Sequence, residues 1–415
     1  MSEPVADPTL ADTVPKPVIG GRLAAPVVDL LELRNYRQNR LRESMKARGI
    51  CVAVLSNPMS TRYAADLMEY ALYMSRTPTA ILLFPVEGPV VGSGTYLPDT
   101  DRIDRKIPSF LLSTFDGGLD LSDRSRLFAD YMKSFLKELG FLDTRPRVGL
   151  ERMDPSTVQA LMQAGIDCVD ITGAVEEAKS VKSSEEVTLI RHAVAVAQFG
   201  IAAMRRQMRP GVTENELFSV LNQVNIAHGG YWCDGRMLAS GHRINPWLQE
   251  ATDKVIEAGD LVGFDTDMVG PNAYFADISR TWLCGDGKPT ARQKELYQRA
   301  YDEVYSNMEL IRPGATFRDI SLNAFRHPEA FLDQRYPCLA HGVGMCDEYP
   351  KIAYPYDWDA IGYDGVVEAG MVLCVESYVG KVGETDGVKL EQQVLVTETG
   401  CEILSTYPLE EIFLK

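Results

Sequence analysis

Residues 261–283 read LVGFDTDMVGPNAYFADISRTWL. Apolar and β-branched residues fill both halves, and Gly270-Pro271-Asn272 marks a turn between them, which predicts strand, turn and strand. Asp265 and Asp267 are one residue apart, so on an extended strand both point to the same face. Asp277 lies across the turn, where cross-strand pairing brings it to the same place. Further along, His341 opens the glycine-rich HGVGM, Glu376 lies in MVLCVESYV and Glu391 in VKLEQQVLV, the last two reading as strands over 371–379 and 388–396. A curved, mostly antiparallel sheet with helices on its outer face would converge these side chains on its concave side.

Taken singly, each of these acids reads as a solvated surface charge. Together the surface reading fails, because five acids embedded in apolar strands carry a prohibitive desolvation cost unless cations compensate them. Five carboxylates and one imidazole suit one or two divalent ions of the Mn, Fe, Co or Zn kind better than a thiolate zinc site, and the imidazole argues against calcium.

At 415 residues the chain exceeds what one core usually supports, so two domains are expected. With 45% hydrophobic and 24% charged residues it reads as a globular protein. Apolar runs such as residues 80–85 fall short of the roughly 18 residues a membrane span needs, and the acidic, proline-rich start lacks a signal-peptide pattern, which predicts a cytoplasmic protein. Eight cysteines without a CxxC pair argue against a disulfide framework, leaving reduced, mostly buried thiols. A net charge of −16 with no basic run argues against nucleic-acid or anionic-membrane partners.

Residues 1–27, with five prolines before residue 27 and Gly20-Gly21, read as an arm. Helical spacing over 30–47, strands at 51–55, 80–84, 90–92 and 147–150, and a helix over 122–139 predict a smaller α/β domain over 28–178. A second domain, 179–415, begins with a long helix, where Ser183 and Glu186 form a capping box that Thr213 and Glu216 repeat for the next helix. His192, His228, His242 and His327 lack partners at ligand spacing and read as structural.

The segments VKSSEEVTLIRHA, RPGVTENEL, GDLVGFDTD, YFADISRTW and HGVGM, with the Glu376 and Glu391 strands, resemble the pita-bread family of creatinase, prolidase and methionine aminopeptidase. The resemblance covers roughly residues 180–400, and RLRESMKARGI and NPMSTRYAADL resemble the creatinase N-terminal domain more loosely. It implies an α+β fold, with a C-terminal pita-bread domain and a smaller N-terminal α/β creatinase-like domain. It assigns the family's metal ligands to Asp277, His341, Glu376, Glu391 and either Asp265 or Asp267. The family's single first Asp falls at Thr266, so one of the flanking acids takes its place and the other is an extra ligand.

Two positions depart from the peptidases. Where they carry histidine after an SGxN segment, this chain reads SGHRINPW and places Trp247; where they read HGxGxxxHExP, it reads HGVGMCDEYP, one residue shorter, with Asp347-Glu348 for His-Glu. That combination resembles the branch of the family that cleaves dimethylsulfoniopropionate (DMSP) to dimethyl sulfide and acrylate. The resemblance implies a homodimer with a divalent metal, iron first, and zinc or manganese as alternatives. Asp347 is the candidate general base, and burial near other carboxylates must lift its pKa from about 3.9 for it to serve. Tyr336 and Trp247 are the candidate aromatic faces for the substrate sulfonium. A hydrolase of the Xaa-Pro aminopeptidase or prolidase type is the alternative, and a non-catalytic pita-bread binding module the third reading.

Overall fold

The computed structural model describes residues 23–68, 75–77, 80–95, 97–141 and 145–414. Most of the expected arm, residues 1–22, lies outside them. The first described helix, α1 (Leu30–Ala47), starts where the Asp29 carboxylate accepts from the amides of Leu31 and Glu32. There follow β1 (Val52–Leu55), β2 (Ala80–Pro85), β3 (Val91–Gly94), β4 (Arg105–Ile107), α2 (Ser122–Glu138), β5 (Arg147–Leu150) and β6 (Asp167–Asp170). These strands form one mixed sheet in the order β4-β3-β2-β1-β5-β6, parallel across β1-β5-β6. The apolar runs at 52–55 and 80–85 are its buried centre, as their near-continuous hydrophobicity requires.

Helix α3 (Thr172–Ser180) packs on α1 and leads to α4 (Ser184–Gln207) and α5 (Glu214–Ala227). Both expected capping boxes are formed, at Ser183/Glu186 and at Thr213/Glu216. By length and apolarity α4 would satisfy a membrane span, which the sequence reading did not anticipate, but 56% of its most apolar window is buried against the rest of the protein. Its polar start and its packing on α5 make it a core helix.

The remaining strands are β7 (Trp232–Cys233), β8 (Leu238–Ser240), β9 (Leu261–Phe264), β10 (Met268–Val269), β11 (Phe275–Ala276) and β12 (Arg280–Leu283). After helix α6 (Ala291–Met308) come β13 (Ala340–Val343), β14 (Asp347–Ile352), β15 (Val372–Gly380), β16 (Gly387–Val396) and β17 (Cys401–Ile403). The last five make an antiparallel sheet in the order β14-β13-β15-β16-β17. Small three-stranded sheets, β8-β9-β12 and β7-β10-β11, lie beside it. Side chains tie β12 to β16: the Thr281 hydroxyl donates to the Lys389 carbonyl and accepts from its amide.

The expected strand over 261–269 is two strands. It breaks at Asp265-Thr266-Asp267, and its partner breaks at Asp277-Ile278-Ser279. Strand alternation therefore does not bring the two aspartates together, because Asp267 has a left-handed backbone, φ 38°. The break is held open by Thr266, whose hydroxyl donates to the Ala276 carbonyl and accepts from the Ile278 amide. Register survives it. Phe264 pairs with Arg280 and Met268 with Ala276, so Asp267 still lies opposite Asp277.

The N-terminal helix is joined to α4 by buried charge. Arg37 on α1, wholly buried, donates to Asp66 at 2.9 Å and to the Tyr274 hydroxyl, and its Nε stands 3.4 Å from Glu186. Tyr274 in turn donates to Glu186, whose other oxygen completes the capping box. Burial opposes the guanidinium, but Tyr274, Glu186 and Asp66 hold it protonated. Removing one partner of such a group strands the others in an apolar setting. Arg37→Met is expected to lower the unfolding free energy by about 3–5 kcal/mol in urea titration, and an unchanged midpoint would show that the network contributes nothing.

Candidate metal centre

The break in β9-β10 and the hairpin β13-β14 face each other across β15 and β16, and the candidate side chains meet there. Atoms of Asp265, Asp267 and Asp277 lie within 4.8 Å of one another, as do atoms of Asp277, His341, Cys374 and Glu391. Asp277 belongs to both groups and is the hinge of the pair. Glu376 and Glu391 are direct cross-strand partners. The Glu376 carboxylate is engaged at both oxygens, one 3.1 Å from His341 Nε2 and the other 2.5 Å from Lys389 Nζ.

Cys374 escaped the sequence reading, which took every cysteine as a packed thiol. It lies two residues before Glu376 on β15, so alternation alone puts it on the same face. Burial, then the charges of Glu391 and Asp277, push its thiol well above the usual range.

Lys389 was also missed. Its ammonium is wholly buried among Asp265, Glu376 and Glu391, and lies 4.5 Å from the centroid of the Tyr336 ring. One face of Tyr336, expected to meet a substrate cation, is thus already occupied by a cation of the protein. Trp247 is 7% exposed and stacks on Tyr378 at 5.9 Å, beneath Gly263, where a Cβ would meet the indole at 3.2 Å. It is a packed wall of the neighbouring core rather than an open aromatic face, buried in the cluster that also holds Ile244, Leu261 and Tyr378.

Asp347 stands at the mouth, its side chain 64% exposed, with Oδ1 3.6 Å from His341 Nδ1. The hairpin explains its position. Val343 pairs with Asp347, and a bulge between His341 and Gly342 turns the imidazole diagonally toward it. Glu348 locks the turn from behind, accepting from the Met345 amide at 2.8 Å and from Lys182 at 3.0 Å, with Lys179 at 3.4 Å. Glu348 is buried, and these two lysines offset the cost. The four remaining histidines are outside the cluster. His192 is half-buried on α4 and His242 exposed; His228 pairs with the Val224 carbonyl and His327 with Glu303.

The electrostatics call for a cation. Burial and mutual repulsion push Asp267, Asp277 and Glu391 well above the ordinary carboxylate pKa. Burial works against Asp265 as well, but Lys389 and hydrogen bonds hold it down at about 2. Desolvation opposes the His341 imidazolium, and Asp347, Glu376 and Glu391 outweigh it, lifting its pKa to about 10. For Asp347 itself the direction is upward, first through desolvation, then through Glu376, Asp265 and Asp234, against the opposing pull of His341. Asp277 Oδ1 and Glu391 Oε1 are buried without a hydrogen-bond partner. Unpaired carboxylate oxygens aimed into an oxygen-rich, single-imidazole cluster fit a divalent transition ion.

The profile of Metallopeptidase family M24 matches residues 188–398, half of the chain, and the protein belongs to that family. Its fold is the α+β pita-bread fold: the Xaa-Pro dipeptidase of Bacillus anthracis superposes with a TM-score of 0.71 at 23% identity, over 91% of this chain and 99% of that one. Within the family, the chain is similar to dimethylsulfoniopropionate lyase DddP. It is 34% identical to that of Roseovarius nubinhibens over 94% of this chain and 88% of the relative, and 33% identical to that of Roseobacter denitrificans over 92% and 87%.

Because the pKa of His341 is lifted to about 10, ion binding to its imidazole at neutral pH must displace a proton. Lower pH favours that proton, so apparent metal affinity is expected to fall as pH drops, by roughly tenfold per unit between about pH 8 and pH 6. Chelator competition with Mn²⁺ measures this, and an affinity flat across that range would contradict it.

Proposed function

We propose that this protein is a carbon–sulfur lyase that cleaves DMSP to dimethyl sulfide and acrylate by β-elimination. The observation that carries the reading is Asp347. It is an exposed carboxylate at the mouth of the cluster, 3.6 Å from His341 Nδ1, at a position where the peptidase pattern has a histidine. The indole of Trp247, packed into the core, stands at the other histidine position.

Asp265, Asp267, Asp277, His341, Glu376 and Glu391 would hold one or two divalent ions, iron in our reading, with Cys374 beside them. Such an ion, when bound, supplies Lewis acidity toward the substrate carboxylate and the negative charge that grows on it. The protein's own residues do the rest. Asp347 takes the proton from the carbon next to the carboxylate; the electrons of that C–H bond form the carbon–carbon double bond, and the Cβ–S bond breaks with its pair leaving on neutral dimethyl sulfide. No water attacks and no amine needs protonation, so neither peptidase histidine has a task. The exposure of Asp347 lets the proton it takes pass to solvent. The face of Tyr336 away from Lys389 would border the sulfonium; Trp247, packed against Tyr378, is left without that role. A cytoplasmic homodimer is part of the proposal; light scattering of the purified protein reads its oligomeric state.

A hydrolase of the Xaa-Pro type is the second reading, favoured by the peptidase family that the chain belongs to and by the preserved donor set. One experiment separates the two: metal-analysed protein given DMSP, with headspace dimethyl sulfide measured, and an Xaa-Pro dipeptide in parallel. Metal-dependent sulfide release without dipeptide cleavage is expected, and the reverse result overturns the lyase reading. Asp347→Asn is expected to keep its metal and lose at least about 100-fold in sulfide release; wild-type turnover by that variant removes Asp347 from the role.

A further inference from the structure

Lys389 has four polar partners and no contact with solvent. Its ammonium donates to Glu376 at 2.5 Å, to the Ser279 hydroxyl at 2.6 Å and to Glu391 at 3.4 Å, and stands 3.0 Å from Asp265. Lys389 lies two residues before Glu391, so the alternation of β16 places both on one face, beside Glu376 across the ladder. Ser279, which donates to the same Glu391 oxygen at 2.7 Å, completes the cradle.

The ammonium touches only one oxygen of each acid: Asp265 Oδ2, Glu376 Oε2 and Glu391 Oε2. The other oxygens are turned elsewhere: Glu376 Oε1 to His341, Asp265 Oδ1 to the Thr266 amide, and Glu391 Oε1 to no partner. Each carboxylate is therefore gripped from behind. Burying an ammonium is costly, and the acids around it, with the Ser279 hydroxyl, offset that cost. The acids in turn would face the same penalty without it.

We propose that Lys389 is a resident counter-cation that neutralises and orients Asp265, Glu376 and Glu391, so that the sheet folds with its donor oxygens in place before any metal arrives. The inference rests on the reading of this cluster as a metal centre and gives Lys389 a positioning role rather than a catalytic one. Metal and lysine are then partly interchangeable sources of positive charge. With the lysine, the fold stands without metal; without it, folding depends on the ion.

The test compares melting temperatures of the full chain after exhaustive EDTA treatment and after reconstitution with Mn²⁺, for wild type, Lys389→Met and Lys389→Arg, with metal content measured on each sample. Wild type is expected to fold without metal and to gain modestly from Mn²⁺. Lys389→Met is expected to melt at least about 5 °C lower than wild type without metal, and to recover more than half of that deficit with Mn²⁺. Lys389→Arg, which keeps the charge, is expected to stay nearer wild type without metal. A Lys389→Met chain as stable as wild type without metal overturns the proposal. So does one that stays unfolded when Mn²⁺ is present, since the lysine would then be ordinary packing. Failure of the metal-centre reading looks different: wild type itself would take up no Mn²⁺ and show no shift.

Discussion

Mutual repulsion among buried carboxylates is the constraint on which the catalytic half of this protein depends. Five acids from four strand segments converge where almost no water reaches, and burial among the others raises the cost of ionising Asp267, Asp277 and Glu391. Such a cluster is stable only if positive charge is interleaved with it. The chain supplies one ammonium from β16 and the prospect of another cation through His341, and the unpaired oxygens of Asp277 and Glu391 mark where a metal would complete the balance. The same problem is solved a few ångströms away without a metal, where Lys179 and Lys182 sandwich Glu348. That second solution sets the hairpin turn, and with it the position of Asp347.

Much of this was legible from residue order. Helix starts followed from serine or threonine with glutamate three places on, because a capping box is a local bond between near neighbours. The strands carrying Glu376 and Glu391 followed from short runs rich in apolar and β-branched residues. Less visible was the break at Asp265-Thr266-Asp267. An apolar–acid–acid pattern fits a continuous strand equally well, and only the long-range bonds of the Thr266 hydroxyl to residues 276 and 278 decide between them.

Lys389 and Cys374 were illegible for a different reason. A lysine alternating with apolar residues has the signature of a strand's solvent face, and a cysteine in an apolar run that of packing. Each acquires its meaning only from what the neighbouring strands contribute: Asp265 and Ser279 for the lysine, Asp277 and His341 for the thiol. Trp247 shows the converse. Its place in the motif was readable, but its burial against Tyr378 depends on tertiary packing. The two departures from the peptidase pattern thus differ in kind, one a titratable group at the entrance and the other an apolar plug.

The junction of α1 with α4 also bears on how a ligand enters. Glu186 serves at once as the N-terminal lock of α4 and as an acceptor from Tyr274, beside Arg37. Tyr36 and Tyr63 add hydroxyl bonds to the carbonyls of Val181 and Ala178, on the segment between the N-terminal sheet and α4. A chain fastened at so many points across its connector has little freedom to swing as two jaws. Opening the cluster to a ligand would then fall to short, local movements at its rim, such as those of the Asp347 turn, rather than to a hinge between the halves.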